Sequence, residues 1–399
     1  MSPAETERLY FQDAYRREFE ASVVERGVHE GKPAAVLDRT CFYPESGGQP
    51  ADRGTLDGAA VVDVQECDGE IVHVLDKEIA GERVRGAIDW GRRFDHMQQH
   101  TGQHILSQCF VERLGGETMS FHLGAEVSTL EIGLRAASDE EQAGVEGRAN
   151  EIVAENREVK TYFVCEDKIG SVPLRRPPKK SGVIRVVEVN GFDYSACGGT
   201  HCRRTGEVGL VKIMRAEKIR NNLRFEFLCG GRALRDYARK NRLVAGLAAS
   251  LSVHDREVAA SVDKLVAESK DVRKRLRRLE EALSVYEAKD LIAQGGGPIV
   301  RRAWAEKPLE EAKLLALNVI RSGGFAALFG VKGEPRDHLI FACSEKLGLN
   351  IRELVPVVQA LAPARGGGSP SLVELAVDKG ADLEAILAAA AGYLKSKLP

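Results

Sequence analysis

HMQQHTGQHIL, residues 96–106, sets three imidazoles at intervals of four residues, at His96, His100 and His104. A four-residue step returns a side chain to the same face of a helix. The spacing therefore predicts a helix, from Arg92 to Leu114, with Phe94, Met97, Ile105, Leu106 and Phe110 on its apolar side. A second motif, CGGTH, stands far downstream at Cys197 to His201. Its Cys and His have the same separation, but Gly198 and Gly199 make it a tight turn and not a helix. Two nitrogens from one element, with a thiolate and a nitrogen from another, form a four-ligand zinc site: His100, His104, Cys197 and His201. Thiolate and imidazole select zinc over magnesium or calcium, which take oxygen shells. A tetrahedral shell leaves His96 outside. It reads either as a group supporting the ligands or facing a substrate, or as a solvated surface histidine.

Outward from these motifs, the chain divides into four regions. Residues 1–88 carry short β-branched runs bounded by Gly, Pro and Asp, such as AAVLDRTCFYP, GAAVVDVQEC and EIVHVLD. A small N-terminal β-barrel is the natural closure for them, with the Gly-rich segment ESGGQPADRG as a loop. Residues 89–232 form an α+β zinc-containing domain: the histidine helix, a strand in STLEIGL, a second helix from Ser138 to Asn156, and four further strands. Residues 233–290 lose aromatics and gain charge. Val258, Leu265, Val272, Leu279 and Tyr286 recur every seven residues, beside Val262, Ser269, Leu276 and Leu283, which is a coiled-coil seam and predicts a homodimer or a helical hairpin. Residues 291–399, beyond GGGP, alternate strands and helices in the manner of a C-terminal α/β domain. The fold class expected is thus α+β multidomain.

Composition narrows the function classes. A length of 399 residues, 43% hydrophobic and 29% charged, describes an ordinary globular protein of several domains. No apolar run reaches membrane-spanning length and the N-terminus lacks a signal-peptide stretch, so no membrane partner and a cytoplasmic location are expected. Eight cysteines without a regular framework fit a reducing compartment. A net charge of −2 excludes nucleic-acid binding through overall charge. RNA contact would need local patches. One candidate is Arg175, Arg176, Lys179 and Lys180; another, after the CGGTH turn, is Arg203, Arg204, Lys212, Arg215, Lys218, Arg220 and Arg224.

HTGQHIL together with CGGTH resembles the editing domain of alanyl-tRNA synthetase and its free-standing AlaX-type relatives. FYPESGGQPADRG, from Phe42 to Gly54, and SFHLG, from Ser120 to Gly124, resemble the family's versions in the same order. ARGGGSPSLVELAV resembles the glycine-rich signature of the DHH-associated domain, although Ser369 and Pro370 stand where the family's pattern carries a further Gly or Arg. The resemblance implies a trans-editing hydrolase that frees serine above all, and glycine, from mischarged alanine tRNA. The chain opens on the barrel with no aminoacylation domain ahead of it, so deacylation without charging is expected. Gln103, Thr200 and His96 are the candidate catalytic residues. Ser46, Gly47, Gly48 and Gln49, with Ser120 and His122, are implied to meet the substrate. The Arg203 to Arg220 group and Arg365, Gly366, Gly367 and Gly368 are candidates for tRNA contact, the last four by bringing backbone amides to phosphate. Whether four protein ligands make the zinc structural, or one is displaced in the working complex, stays open. Two other readings stand beside the enzyme: a nucleic-acid-binding or oligomerisation protein with structural zinc, and a phosphoesterase, which the lack of a DHH triplet disfavours.

Overall fold

A computed structural model of the chain describes residues 6–178 and 181–398. They fall into two compact units, Met1–Gly246 and Leu247–Pro399. The first opens with strand β1 (Glu7–Arg8) and a single helical turn, α1 (Leu9–Gln12). There follow β2 (Glu18–His29), β3 (Lys32–Leu37), β4 (Arg39–Thr40, paired with β1), β5 (Gly54–Leu56), β6 (Ala59–Cys67), β7 (Glu70–Leu75) and β8 (Arg83–Ile88). Six of these close a barrel in the order β2-β3-β7-β6-β5-β8. Glu30-Gly31, Asp57-Gly58 and Asp68-Gly69 turn three of its hairpins with both residues at positive φ, the two-residue geometry that matches strand twist. Phe19, Leu37, Phe42, Leu56, Ile71 and Leu75 pack as one cluster. The Gly-rich segment lies in the long connection between β4 and β5.

Helix α2 (Trp90–Leu114) starts two residues before Arg92 because the Asp89 side chain caps it, accepting from Arg92 N at 3.1 Å. Gly115, at φ 64°, ends it. Next come β9 (Thr118–Leu123), β10 (Ser128–Ile132) and α3 (Asp139–Ala154), which Ser138 and Glu141 open with a capping box. The unit continues with β11 (Val159–Val164), β12 (Ile184–Val189), β13 (Asp193–Ala196), β14 (Val211–Ile219) and β15 (Asn222–Cys229). Two antiparallel sheets result, β14-β15-β10-β9 and β11-β12-β13. Met97, Ile105, Leu106 and Phe110 of α2 share one core with Phe225, Phe227, Val187 and Val189.

Helix α4 (Gly230–Leu251) crosses the division between the units, and α5 (Val258–Gly295) begins after a break at Ser252, in positive φ. The heptad residues of α5 are exposed, among them Leu265, Val272, Leu276, Leu279, Leu283 and Tyr286. A different stripe, Ser284 and Ala288, is buried near α6 (Leu309–Arg321), where Asn318 Nδ2 donates to Ser284 Oγ at 3.0 Å. The rest of the second unit comprises β16 (Ile299–Trp304), β17 (Ala326–Val331), β18 (Arg336–Cys343), α7 (Leu354–Gln359), β19 (Ala364–Gly368), β20 (Leu372–Asp378) and α8 (Leu383–Lys395).

The sheet, ordered β16-β17-β18-β20-β19, is mixed, with one parallel pair, β16–β17. The connection between β17 and β18 is too short for a crossover helix, so those strands form a hairpin. Contrary to expectation, Arg365 to Gly368 is not a loop: it lies in β19, an edge strand paired antiparallel with β20. A Cβ on Gly366 would meet Glu374 O at 2.2 Å, so the glycines here serve close strand pairing.

One barrel group makes stability depend on pH. His73 is fully buried; its Nδ1 donates to Ala35 O at 3.1 Å and Thr40 Oγ1 lies 2.8 Å from Nε2. Burial lowers its pKa to about 4. The unfolded imidazole takes up a proton below about 6.5 while the folded one resists, so the contribution is complete above that value and is lost as pH falls toward the folded pKa. We expect roughly 2 kcal/mol of destabilisation from this group at pH 5. Thermal unfolding at pH 7 and pH 5 checks it: the fall in Tm should be smaller in His73→Leu than in the wild type, and an equal fall would exclude His73 as its source.

Candidate metal centre

His100 and His104 lie on the buried middle of α2, and the turn after β13 brings Cys197 and His201 to them. One ligating atom from each of the four falls within 4.8 Å of all the others. Cys197 Sγ is 3.4 Å from both His100 Nε2 and His201 Nε2. A tetrahedral shell with zinc bond lengths has edges of about 3.3–3.6 Å, so the group fits such an ion with little movement. Its donors, one thiolate and three imidazoles, are those zinc prefers.

Each imidazole is held by its other nitrogen. Gln49 Oε1 accepts from His100 Nδ1 at 2.8 Å, and Asp193 Oδ2 accepts from His104 Nδ1 at 3.1 Å. His201 Nδ1 meets Thr101 Oγ1 at 3.2 Å. A carbonyl or carboxylate oxygen can only accept, so the proton of His100 and of His104 sits on Nδ1 and Nε2 faces the cluster. Asp193 is in turn held by Ser195 Oγ at 3.0 Å and by Arg175 Nη1 at 3.1 Å. Gly199 is required here: a Cβ would stand 2.2 Å from His100 Cε1. Arg185 Nη1 fastens the turn by donating to Cys197 O at 2.8 Å and Gly199 O at 2.9 Å.

Burial pushes the Cys197 thiol up, but the charges of His100 and His201, with hydrogen bonds from His100 and His104, outweigh it and hold it well below its ordinary range. Gly199 N adds a donor to the sulfur at 3.3 Å. Burial pulls His104 down, yet the Asp193 bond and Cys197 outweigh it and raise it to about 9. His201 is lowered well below its ordinary value, first by burial and then by the charge of His100. A lowered thiol favours the deprotonated form that metal ligation needs.

The other candidates fall elsewhere. His96 is buried one turn before His100, outside the four-donor group, and its Nδ1 has no partner among the described residues. Burial, then nearby Arg92, lowers it to about 3, so it is neutral near pH 7. Gln103 donates to Ser107 Oγ at 2.7 Å, beside Thr118. Thr200 is engaged with Gln49, accepting from its Nε2 at 2.8 Å and donating its own N–H to Oε1 at 3.1 Å. Gln49 is thus a buried bridge between His100 and the CGGTH turn. Ser46 and Gln49 close the Gly-rich turn on each other, and Gly48 O accepts from Leu123 N at 2.9 Å. Ser120 and His122 need correction as site residues. Strand alternation turns them to the face opposite Phe121, and Phe121 is the residue beside His100, at 5.6 Å between rings.

Several of the basic residues are ion-paired. Arg203 pairs with Asp13, Lys212 with Glu146, Arg215 with Glu226 and Arg224 with Glu217, while Arg204 donates to Asn156 O. Lys218 and Arg220 have no ion pair among the described residues. Arg175 is a buttress of the metal centre, donating to His104 O at 3.0 Å, and Arg176 bonds Thr118 O. Lys179 and Lys180 lie outside the described residues. Sequence reasoning missed Asp193, Thr101, Phe121 and the roles of Arg175 and Arg185. The one signal for Asp193 was a carboxylate four residues before Cys197.

The Asp193 contact has a measurable consequence. Asp193→Asn should weaken zinc affinity about 10–100-fold, the usual cost of losing a carboxylate behind a ligating histidine. Competition with a chromophoric chelator measures this, and undiminished affinity in a folded variant would remove Asp193 from the centre.

Residues 184–225 match the family model described as the threonyl and alanyl tRNA synthetase second additional domain, and residues 9–92 match that of tRNA synthetases class II (A). Alanine–tRNA ligases of Pyrococcus furiosus and Archaeoglobus fulgidus are 31% and 33% identical to the chain, over 95% and 96% of it. The chain spans only 42% and 43% of those ligases. An alanyl-tRNA editing protein, AlaX-L, of Pyrococcus horikoshii is 31% identical over 388 residues, which are 92% of this chain and 93% of that protein. A likeness running nearly from end to end of both chains is a family relationship, and this chain belongs to the AlaX-type alanyl-tRNA editing proteins.

Proposed function

We propose that the chain is an aminoacyl-tRNA hydrolase that edits alanine tRNA in trans, cleaving the ester to a wrongly attached serine or glycine at a zinc centre formed by His100, His104, Cys197 and His201. The observation that carries this reading is the convergence of those four donors, with three imidazoles oriented from behind, in a chain of this family. An aminoacyl ester is already activated, so positioning and charge stabilisation supply most of what hydrolysis needs. Bound zinc would polarise the ester carbonyl or anchor the substrate's polar groups. Gln49, Asp193 and Thr101 hold the ligands in place. Cys197, the half-buried member of a set whose histidines are buried, lies on the accessible side of the cluster. Gly48 brings the backbone of the Gly-rich loop against Phe121, an apolar wall beside His100. Gln103, Thr200 and His96 support the site from buried positions.

A second reading, a tRNA-binding protein with structural zinc, draws support from the same four donors, because a closed shell is the structural pattern. Deacylation separates the two. Seryl-tRNA should be hydrolysed at least about ten-fold faster than alanyl-tRNA, since a group built for the serine hydroxyl is left unpaired by alanine. A chelator that strips the metal should abolish the difference. Equal rates on both esters would remove editing. A zinc-loaded chain that binds tRNA but hydrolyses neither would establish the binding reading.

The partners proposed are mischarged alanine tRNA and a second copy of the chain, with no membrane. No helix among the described residues is long and apolar enough to cross one, and a cytoplasmic location is proposed from the substrate. The seven-residue rows on α5, with Leu279 69% and Leu283 66% exposed, support a homodimeric coiled coil. Sedimentation at micromolar concentration should give a dimer that Leu276→Asp with Leu279→Asp dissociates while zinc stays bound. A wild-type monomer would reject the dimer.

A further inference from the structure

Beside the metal-ligating turn runs a series of four aromatic rings that the metal centre does not use. Phe163 of β11 meets Phe11 at 6.0 Å between ring centres, Phe11 meets Tyr10 at 4.7 Å, and Tyr10 meets Tyr43 at 5.4 Å, each edge to face. The Tyr43 hydroxyl donates to Ser46 O at 3.0 Å, so the series ends on the Gly-rich loop. Tyr10 and Tyr43 are buried, whereas Phe163 is 56% exposed. That exposure is unusual for its place. Strand alternation and register put Phe163 on the same face as Val187 and Val189, which are in the core. The ring therefore overhangs the end of the core with one side open.

Register also fixes its relation to the metal centre. Phe163 pairs with Arg185, and Cys197 N donates to Arg185 O at 3.0 Å. The three occupy successive positions across the strands, about 10 Å from first to last at the usual strand spacing. Arg185 is buried and lays its guanidinium 5.0 Å from the Phe11 ring centre. Its Nη1 is committed to the CGGTH turn, but its Nε has no partner among the described residues.

We infer that Phe163, with Phe11 and Arg185, forms a stacking site for the base of an RNA 3′-terminal nucleotide. The inference rests on the proposed hydrolase reading. The scissile ester is carried by the ribose of that nucleotide, so its base must lie within one sugar's reach of the metal centre. An exposed ring on a residue two strand positions from Cys197 in register meets that requirement. Stacking on an aromatic, with a guanidinium close by, is the means by which proteins hold an unpaired base. It also gives the centre a source of RNA affinity that needs no basic patch.

The test is equilibrium binding of an acceptor-stem minihelix whose 3′-terminal base is 2-aminopurine, beside the same minihelix abasic at that position. The full chain is used as wild type, Phe163→Ala and Phe163→Tyr, each with its zinc content measured. Phe163→Ala should weaken binding of the base-bearing RNA about ten-fold or more and leave the abasic RNA unchanged. Phe163→Tyr should restore both affinity and 2-aminopurine quenching. Equal affinity of wild type and Phe163→Ala for the base-bearing RNA, an equal loss on both RNAs, or no rescue by tyrosine would overturn the site. Hydrolysis of a seryl ester on the natural minihelix is followed in parallel. Base-dependent binding without hydrolysis contradicts the hydrolase and leaves the base site standing; hydrolysis without base dependence does the reverse.

Discussion

Arg93 and Asp52 bury a guanidinium and a carboxylate with no exposed side-chain surface, and the placement of the four-donor cluster depends on that pair. Arg93 Nε reaches the two Asp52 oxygens at 3.1 and 3.0 Å, Nη1 donates to Ala14 O at 2.8 Å and Nη2 to Cys41 O at 2.6 Å. Asp52 also accepts from Tyr43 N at 2.7 Å. A buried pair adds little net stability over an apolar one, but removing one partner strands the other charge at about 3–5 kcal/mol. Its value lies in register. It locks α2, the segment before the barrel and the Gly-rich connection into one arrangement. Asp52 follows Gln49 closely, and Arg93 precedes His100 by two helical turns. Fixing the pair brings Gln49 to His100.

From that contact the centre builds itself. Gln49 orients His100 and holds the backbone of Thr200, so one amide side chain couples the barrel connection, the helix and the ligating turn. Asp193 and Thr101 do the same for the other imidazoles, and Arg185 and Arg175 fasten the backbone on either side. Many of these groups are buried and polar. Such a network is costly when half satisfied and rigid when complete, which suits a site whose four donors must be held in one arrangement.

Much of this was legible in the sequence. The four donors could be read because a four-residue step has a fixed meaning on a helix and glycines mark a turn. The barrel was read from β-branched runs bounded by Gly, Pro and Asp, and Asp57-Gly58 and Asp68-Gly69 prove to be two of its turns. What could not be read was which polar residue stands behind which ligand. Gln49 sits in a segment that reads as a substrate loop, and nothing local says that its amide turns inward. Ser120 and His122 attracted attention as polar residues in a familiar segment, but TMSFHL is a strand, and its period of two hands the site to Phe121. Arg365 to Gly368 reads as a loop because glycine is rare within strands, yet on this edge the glycines let β19 and β20 approach. The heptad rows of α5 were plain, but the stripe that packs near α6 is a different one, set by Ser284 and Ala288 and not by the larger residues.

The central claim is that two distant motifs form one preassembled metal centre with nitrogen and sulfur ligands. X-ray absorption at the zinc edge of the purified full chain tests it most directly. The account predicts one shell of nitrogens at about 2.0–2.1 Å with a single sulfur at about 2.3 Å, and loss of the sulfur shell in Cys197→Ser. A shell of oxygens and nitrogens without sulfur in the wild type, or a sulfur shell that survives in Cys197→Ser, would contradict it.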